Sequence, residues 1–95
     1  MSARVLFDDF GRWQLRGAVD KLRRVDPKAA REFLSQVESL LKSPKKLLDR
    51  EAPIDGFPEF PSREVQIGSY RMFVRHTDDA TWVVGVWPTQ RESNT

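Results

Sequence analysis

Two arginines near the C-terminus, Arg71 and Arg91, are the residues whose type and spacing best suit chemistry. Residues 70–75 and 81–87 have the composition of two strands, and the Asp78-Asp79 pair between them is typical of a turn. Arg71 stands near the head of the first strand and Arg91 lies just past the second, so an antiparallel ribbon brings them to the same end. Two guanidinium groups on neighbouring strand ends suit a phosphate or a carboxylate. The pattern therefore predicts an anion site at this end of the ribbon.

Other kinds of site find little support in the composition. The chain has no cysteine and one histidine, His76, so neither a thiolate site nor a histidine metal site is expected. The adjacent carboxylates Asp78 and Asp79 belong to the turn and are not interpreted as a catalytic pair. We expect neither a metal nor another cofactor.

The size and charge of the chain set broad limits on its class. With 95 residues, 39% of them hydrophobic, it is expected to form one domain over residues 1–95. Its 16 basic and 14 acidic residues give a net charge of +2, an imbalance too small to predict nucleic-acid binding by itself. No apolar run approaches the roughly 18 residues of a membrane span, and the N-terminus lacks the apolar core of a signal peptide. We therefore expect a soluble cytoplasmic protein with no membrane partner, which the absence of cysteine also fits.

Two amphipathic helices are predicted in the N-terminal half. Apolar residues recur at helical spacing over residues 9–25, and the other side of this segment is basic. Asp26-Pro27 supplies an N-cap and a proline at the first helical position, so a second helix should begin there and end at Ser43-Pro44. The short connection predicts an antiparallel helical hairpin. The run Val5-Leu6-Phe7 before it fits either a brief strand or the entry into the first helix.

The C-terminal half is predicted to form strands after a long connection. Residues 45–61 contain three prolines and are interpreted as a crossing loop. Residues 63–67 and 70–75 alternate polar with apolar side chains, as half-buried strands do, whereas residues 81–87 are apolar on both faces and should form the centre of the sheet. The predicted fold class is α+β, with an N-terminal helical hairpin packed on an antiparallel sheet of three to four strands.

This order of elements resembles the RelE/ParE superfamily of toxins from bacterial type II toxin–antitoxin systems. The likeness is carried by Gly68, Tyr70, Arg71, the strand 82–87 and Arg91. It implies two N-terminal helices on one side of an antiparallel sheet. In the RelE branch it implies a ribosome-dependent endoribonuclease that cuts messenger RNA in the A site, with Arg71 and Arg91 on the scissile phosphate. Preorganised cations there would stabilise the negative charge that develops when a 2′-hydroxyl attacks phosphorus.

The ParE branch, which shares the fold and inhibits DNA gyrase by binding, is the alternative. RelE-type enzymes usually carry lysines on the preceding strand and a tyrosine near the C-terminus, whereas this chain has Arg63, Glu64 and Gln66 there and lacks that tyrosine. A non-catalytic gyrase inhibitor and a non-toxic relative on the same fold are therefore kept as alternatives. The partners implied are a cognate antitoxin and either ribosome-bound messenger RNA or gyrase, with operator DNA reached only through the antitoxin.

Several further cations are candidate RNA-binding residues. Arg63 and the pair Lys45-Lys46 are predicted to contact RNA, and the competing interpretation is a solvated charged surface. Arg71 has its own alternative, a cross-strand ion pair with Glu64. The alternative for Arg91 is a solvated terminal residue.

The tryptophans divide into two groups. Trp82 and Trp87 lie on an apolar strand and are predicted to be core residues or to pack against the helices. Trp13 falls off the apolar stripe of its helix. With Phe10 it would form either an exposed patch for an antitoxin helix or a contact under the proline-rich segment.

Overall fold

The computed structural model of the protein describes residues 4–54, 56, 59 and 61–89. Within this part of the chain the elements follow one another as three helices and five strands. They are β1 (Arg4–Phe7), α1 (Asp9–Val25), α2 (Pro27–Leu41), α3 (Pro44–Arg50), β2 (Ala52–Pro53), β3 (Ser62–Ile67), β4 (Tyr70–His76) and β5 (Ala80–Pro88).

Side-chain caps set the starts of the helices. The Asp8 carboxylate accepts a hydrogen bond from the amide of Gly11 at 2.7 Å and so begins α1. Asp26 caps α2 in the same way, and Pro27 occupies the first turn, where its missing N–H costs nothing. The predicted helical hairpin is confirmed at both of these starts, because the caps are local features that the sequence displays directly.

The prediction of a loop over residues 45–61 is wrong in its first part. Ser43 caps a third helix by accepting from the amide of Lys46 at 3.3 Å, and Pro44 takes its first position. Leu47 from this helix is buried in the core. Ser43-Pro44 has the same pattern as Asp26-Pro27, a capping side chain followed by a proline. The two residues that were interpreted as the end of α2 therefore also begin α3.

The five strands of the described chain form one sheet in the order β1-β5-β4-β3-β2. The α+β class is confirmed, but the sheet has more strands than the three to four expected, and its β1–β5 pair is parallel. The two strands that were not counted are β1 and β2. Val5-Leu6-Phe7 therefore forms a strand and not the entry into the first helix, and β2, with two residues, is too short to show an alternation of polar and apolar residues in the sequence. β5, expected at the centre, is an interior strand next to the middle strand β4.

One face of the sheet carries the hydrophobic core. Strand residues on this face pack against the buried sides of α1 and α2 and against Leu47 of α3. The strand contribution consists of Val65, Ile67, Tyr70, Met72, Val74, Val83 and Val86. The predicted alternation of β4 is therefore confirmed, with Tyr70, Met72 and Val74 inward and Arg71, Phe73 and Arg75 on the opposite face.

A β-bulge in β5 decides which of its side chains face the core. Phe73 pairs with Gly85, whereas the next residue, Val74, pairs with Val83, so Val84 has no partner on β4. A regular strand would turn Val83 and Val86 to opposite faces, because three positions separate them. The extra residue restores the alternation, and both valines enter the core.

The first turns of α1 close the outer edge of β5 beyond the end of β1. The amide of Asp8 donates to the carbonyl of Val83 at 3.2 Å, and the Gln14 side chain accepts from the amide of Val86 at 2.8 Å. Gly11 lies directly against the Val83 carbonyl, where an added Cβ would fall well inside van der Waals contact. The helix therefore approaches the strand backbone only because residue 11 has no side chain.

No helix in the described residues is long and apolar enough to cross a membrane.

A pair of glycine substitutions tests the contact between α1 and β5. Gly11→Ala is expected to lower the free energy of unfolding by about 1–3 kcal/mol, because its methyl group must displace the backbone of β5. Gly17→Ala, in the same helix, has open space around its Cβ in the described structure and should raise stability by about 0.5–1 kcal/mol. Urea unfolding of both variants measures the difference. Equal effects of the same sign would contradict the proposed close approach.

Candidate functional site

The face of the sheet opposite the core carries the candidate site. Paired strand residues point to the same side, so the register places a set of polar and aromatic side chains together there. Described members of this open face are Glu64, Arg71, Phe73, Arg75, Trp82 and Trp87. Their burial ranges from intermediate to exposed, which leaves the face accessible. The protein thus has one apolar face under helices and one mixed face open to a ligand.

Arg71 is the best-positioned cation of the open face. Its Nη1 lies 3.2 Å from Oε1 of Glu64, and its guanidinium carbon lies 5.5 Å from the centre of the Phe73 ring. The side chain is 28% exposed and that of Glu64 is 17% exposed. Nε of Arg71 is buried and has no hydrogen-bond partner in the described structure. A ligand can therefore be contacted only through the terminal nitrogens of the guanidinium group.

The Arg71–Glu64 pair realises the cross-strand alternative raised from the sequence. Gln66 lies directly opposite Arg71, and Glu64 lies opposite Phe73, so the ion pair runs diagonally across two strands. Ion pairs near the surface are worth little, about 0–1 kcal/mol, and a phosphate can compete for the same guanidinium. The geometry places an anion-binding cation and a proton-accepting carboxylate within hydrogen-bond distance of each other.

Aromatic side chains lie beside this pair. A Cβ built on Gly85 would contact Phe73 and Trp87, each at 3.4 Å, so both rings approach the same bare stretch of β5. Trp87 is 49% exposed and Trp82 is half-buried. The prediction that Trp82 and Trp87 are core residues or pack against the helices is wrong, because the bulge at Val84 turns both tryptophans to the open face.

Arg50 is a rim cation that the sequence analysis did not select. Its Nη2 donates to the carbonyl oxygen of Gln66 at 2.7 Å, and Gln66 is the residue paired with Arg71. Arg50, at the C-terminal end of α3, therefore adds a cation to the end of the sheet where Arg71 lies. Arg50 was not selected as a site residue in the sequence analysis, because residues 45–61 were interpreted there as a loop.

The other predicted cations lie in different places. Arg63 shares the face of Val74 and forms an ion pair of 3.3 Å with Glu51. Lys45 and Lys46 are exposed on α3, and Nζ of Lys46 donates to Ser39 at 3.4 Å. None of the three belongs to the open face. Arg91, the second half of the predicted clamp, lies outside the described residues, so its position relative to Arg71 stays a prediction.

His76 has a structural environment at the opposite end of β4. Its Nε2 lies 2.7 Å from a Glu51 carboxylate oxygen, and its Nδ1 lies 2.8 Å from the Thr81 hydroxyl. The Glu51 side chain is only 2% exposed and also receives Arg63. Since a carboxylate only accepts, Nε2 carries a proton, and in the neutral ring Nδ1 accepts from Thr81. Five strand positions, about 16 Å, separate His76 from Arg71.

Comparison with known proteins identifies solved structures that share this architecture. No protein-family model matches the sequence, and the curated proteins give no significant match. Solved structures match with high confidence. A chain of the chromosomal ParDE toxin–antitoxin system from P. aeruginosa has a TM-score of 0.65 at 12% identity, covering 93% of this chain and 97% of the other. A chain of the RelBE2 toxin–antitoxin complex from Mycobacterium tuberculosis has a TM-score of 0.62 at 15% identity, covering 93% and 99%.

The protein therefore has the same fold as these two chains, each of which belongs to a toxin–antitoxin system, and the fold that the resemblance implied is confirmed. At these identities the likeness establishes architecture alone, and the chemistry has to be argued from the open face.

Replacement of Glu51 tests the structural role assigned to the His76 end of the sheet. Glu51→Ala is expected to lower the free energy of unfolding by about 1–3 kcal/mol, because Arg63 and His76 both lose their carboxylate partner. Glu32→Ala, which removes an exposed carboxylate from α2, should change stability by less than about 0.5 kcal/mol. Urea denaturation compares the two. A Glu51→Ala protein as stable as the Glu32→Ala protein would refute the role.

Proposed function

We propose that this protein is the toxin of a type II toxin–antitoxin system and acts as a ribosome-dependent messenger RNA endoribonuclease. Support comes from the shared fold with chains of two toxin–antitoxin complexes and, above all, from the Arg71–Glu64 pair on an accessible sheet face. The ribosome would hold the messenger RNA across this face. No cofactor is required for the reaction.

Arg71 and Glu64 take the two roles that RNA cleavage by internal attack requires. Glu64 accepts the proton of the 2′-hydroxyl while the 2′-oxygen forms its bond to phosphorus. The bond from phosphorus to the 5′-oxygen breaks, and this oxygen leaves with a proton taken from water. Arg71 stabilises the negative charge on the pentacoordinate phosphorus through its terminal nitrogens. Their separation of 3.2 Å lets one phosphate and its neighbouring hydroxyl contact both groups.

The aromatic residues of the open face support a single-stranded RNA ligand. Phe73 lies beneath the Arg71 guanidinium, and half-exposed Trp87 is on the paired strand. Unpaired bases stack on such rings with about 1–3 kcal/mol each, without a strong sequence preference. Arg91 is proposed to contact the scissile phosphate together with Arg71, and Arg50 is proposed to hold a flanking phosphate. Arg63, Lys45 and Lys46 are proposed to contact RNA outside the open face.

A cognate antitoxin is the proposed protein partner. It neutralises the toxin by covering the Arg71 end of the open face, so that messenger RNA is excluded. Binding to operator DNA belongs to the antitoxin, because the toxin's net charge of +2 offers no strong electrostatic footprint of its own.

Inhibition of DNA gyrase by binding alone is the second candidate function. One observation favours it: the described open face has no evident general acid. Tyr70 is buried on the core side, and His76 is held by Glu51 and Thr81. A toxin that only binds needs no proton donor.

Substitution of the paired residues tests the nuclease. Arg71→Ala and Glu64→Gln should each reduce ribosome-dependent cleavage by about 10²–10³-fold, because one removes charge stabilisation and the other the proton acceptor. Cleavage of messenger RNA on purified ribosomes and growth after induction without antitoxin are the measurements. Arg31→Ala, which removes an exposed cation from α2, is the matched control and should keep full activity.

The pattern of losses separates the candidates. Cleavage that survives Arg71→Ala would overturn the phosphate role, and cleavage that survives Glu64→Gln would leave Glu64 as a charge partner only. Growth arrest with no cut messenger RNA, together with loss of supercoiling by purified gyrase, would replace the nuclease with the gyrase inhibitor.

A further inference from the structure

The end of the open face away from Arg71 carries a second group of polar and aromatic side chains. Arg75 of β4 lies opposite Trp82 of β5, and Trp82 lies opposite Leu6 of the parallel strand β1. Paired residues point to the same side of a sheet, so the three side chains form one row on the open face. Arg75 is exposed, whereas Trp82 and Leu6 are half-buried. This row is accessible to a ligand at a distance from the Arg71–Glu64 pair.

β1 adds a second cation beside this row. Val5 packs against the core, so the alternation of side chains along β1 turns Arg4 to the open face. Arg4 pairs with Ala80, two residues before Trp82 on β5. Trp82 is therefore flanked by Arg75 on one side and by Arg4 on the other, from neighbouring strands about 4.8 Å away. Arg4, Arg75 and Trp82 are called here the Trp82 subsite.

The charges and the ring of the Trp82 subsite are free for a ligand within the described structure. Neither Arg4 nor Arg75 takes part in an ion pair with another described residue. The Glu64 carboxylate on the same face is already paired with Arg71, at 3.2 Å. Among the described residues the cation–π contact is that of Arg71 with the Phe73 ring, so neither arginine of the subsite covers Trp82. An anionic ligand with a flat ring is complementary to this arrangement.

The distance between the Trp82 subsite and Arg71 shows how a ligand must lie. Arg75 is four strand positions from Arg71 along β4, which corresponds to about 13 Å. Phe73 lies between them on the same face. This distance exceeds the length of one nucleotide, so a strand that reaches both ends contacts them with different nucleotides. The strand must then run along β4 and β5 and not across the sheet.

A tryptophan between two arginines matches the repeating unit of a single-stranded nucleic acid. The base of one nucleotide stacks on the ring, and the phosphates on either side of it meet the two guanidinium groups. An acidic peptide would satisfy the arginines but would make no specific use of the ring between them.

We propose that the Trp82 subsite binds one nucleotide of single-stranded RNA at a distance from the cut. Its base stacks on Trp82, and its flanking phosphates contact Arg4 and Arg75. The inference rests on the proposed function in one respect, because it takes this RNA to be the messenger RNA that is cut at Arg71. The subsite contributes binding and alignment of the strand, whereas Arg71 and Glu64 carry the chemistry.

Binding without the ribosome tests the subsite by itself. The probe is hexaadenylate RNA with a 5′ fluorescein, whose anisotropy gives the dissociation constant. Trp82→Ala should weaken binding by about tenfold or more, whereas Trp82→Phe, which keeps a ring, should weaken it by less than about threefold. Arg4→Ala and Arg75→Ala should each reduce the slope of log affinity against log salt concentration by about 0.7, because each removes one phosphate contact. Arg31→Ala, in which an exposed arginine of α2 is removed, should change neither quantity. Circular dichroism checks folding.

The fluorescence of Trp82 reports the stacking contact directly. The Trp13→Phe/Trp87→Phe protein retains Trp82 as its one tryptophan. Trp13 has to be replaced because it is 69% exposed, an exposure that does not fit the alternative in which it packs beneath the proline-rich segment. Hexaadenylate should quench the Trp82 emission with the dissociation constant that anisotropy gives.

Cleavage on purified ribosomes separates binding from chemistry. Trp82→Ala should raise KM for ribosomes carrying messenger RNA by about tenfold and leave kcat within about twofold, because it removes binding that the ground state and the transition state share. Arg71→Ala should lower kcat instead, because it removes charge stabilisation in the transition state.

The outcomes distinguish this inference from the proposed function. Quenching of Trp82, the tenfold loss in Trp82→Ala and the reduced salt slopes support the subsite, and the same results without any growth arrest keep it as an RNA site and remove the toxin. Affinities and salt slopes equal to wild type in all three alanine variants overturn the subsite and leave the nuclease to the test of Arg71 and Glu64. Absence of quenching up to about 1 mM RNA, above the usual range of non-specific dissociation constants, also overturns it. An emission that RNA leaves unchanged but the product of the adjoining reading frame alters would overturn the RNA assignment and give this surface to a protein partner.

Discussion

The single unpaired residue in β5, Val84, is the constraint on which both faces of the protein depend. Its bulge lets Val83 and Val86 enter the core together, although three positions separate them. The same shift turns Trp82 and Trp87 to the open face. Without it, one side of β5 would expose a valine and bury a tryptophan, and the open face would lose one of its two tryptophans. Core packing and site composition are therefore set by one local irregularity.

The N-terminus of α1 closes the strand that carries this bulge. The amides of Asp8 and Val86 and the carbonyl of Val83 all find partners at this junction, so the edge of β5 beyond β1 is covered without another strand. Gly11 permits the contact, and Gly17, two turns further along, has no such neighbour in the described structure. The close approach of α1 to β5 therefore requires glycine at position 11 but not at position 17.

The Arg71–Glu64 pair shows how a structural interaction and a functional site can coincide. The Glu64 carboxylate compensates the Arg71 guanidinium charge beside the Phe73 ring. The Arg71 side chain is 28% exposed, so its terminal nitrogens can still be reached from the open face.

The sequence by itself determined the features that depend on neighbours along the chain. The cap at Asp26, the alternation of β4 and the apolar row of α1 are local, and from them the α+β class and the helical hairpin were predictable. The cap at Ser43 is equally local, but it was interpreted only as the end of α2. The nearness of Glu64 to Arg71 was also foreseeable as a cross-strand alternative. Tertiary structure alone decided the parallel pairing of β1, the placement of Arg50 beside Gln66 and the outward turn of Trp87. Each of these depends on contacts between distant segments or on a one-residue change of register, and neither leaves a periodic signal in the sequence.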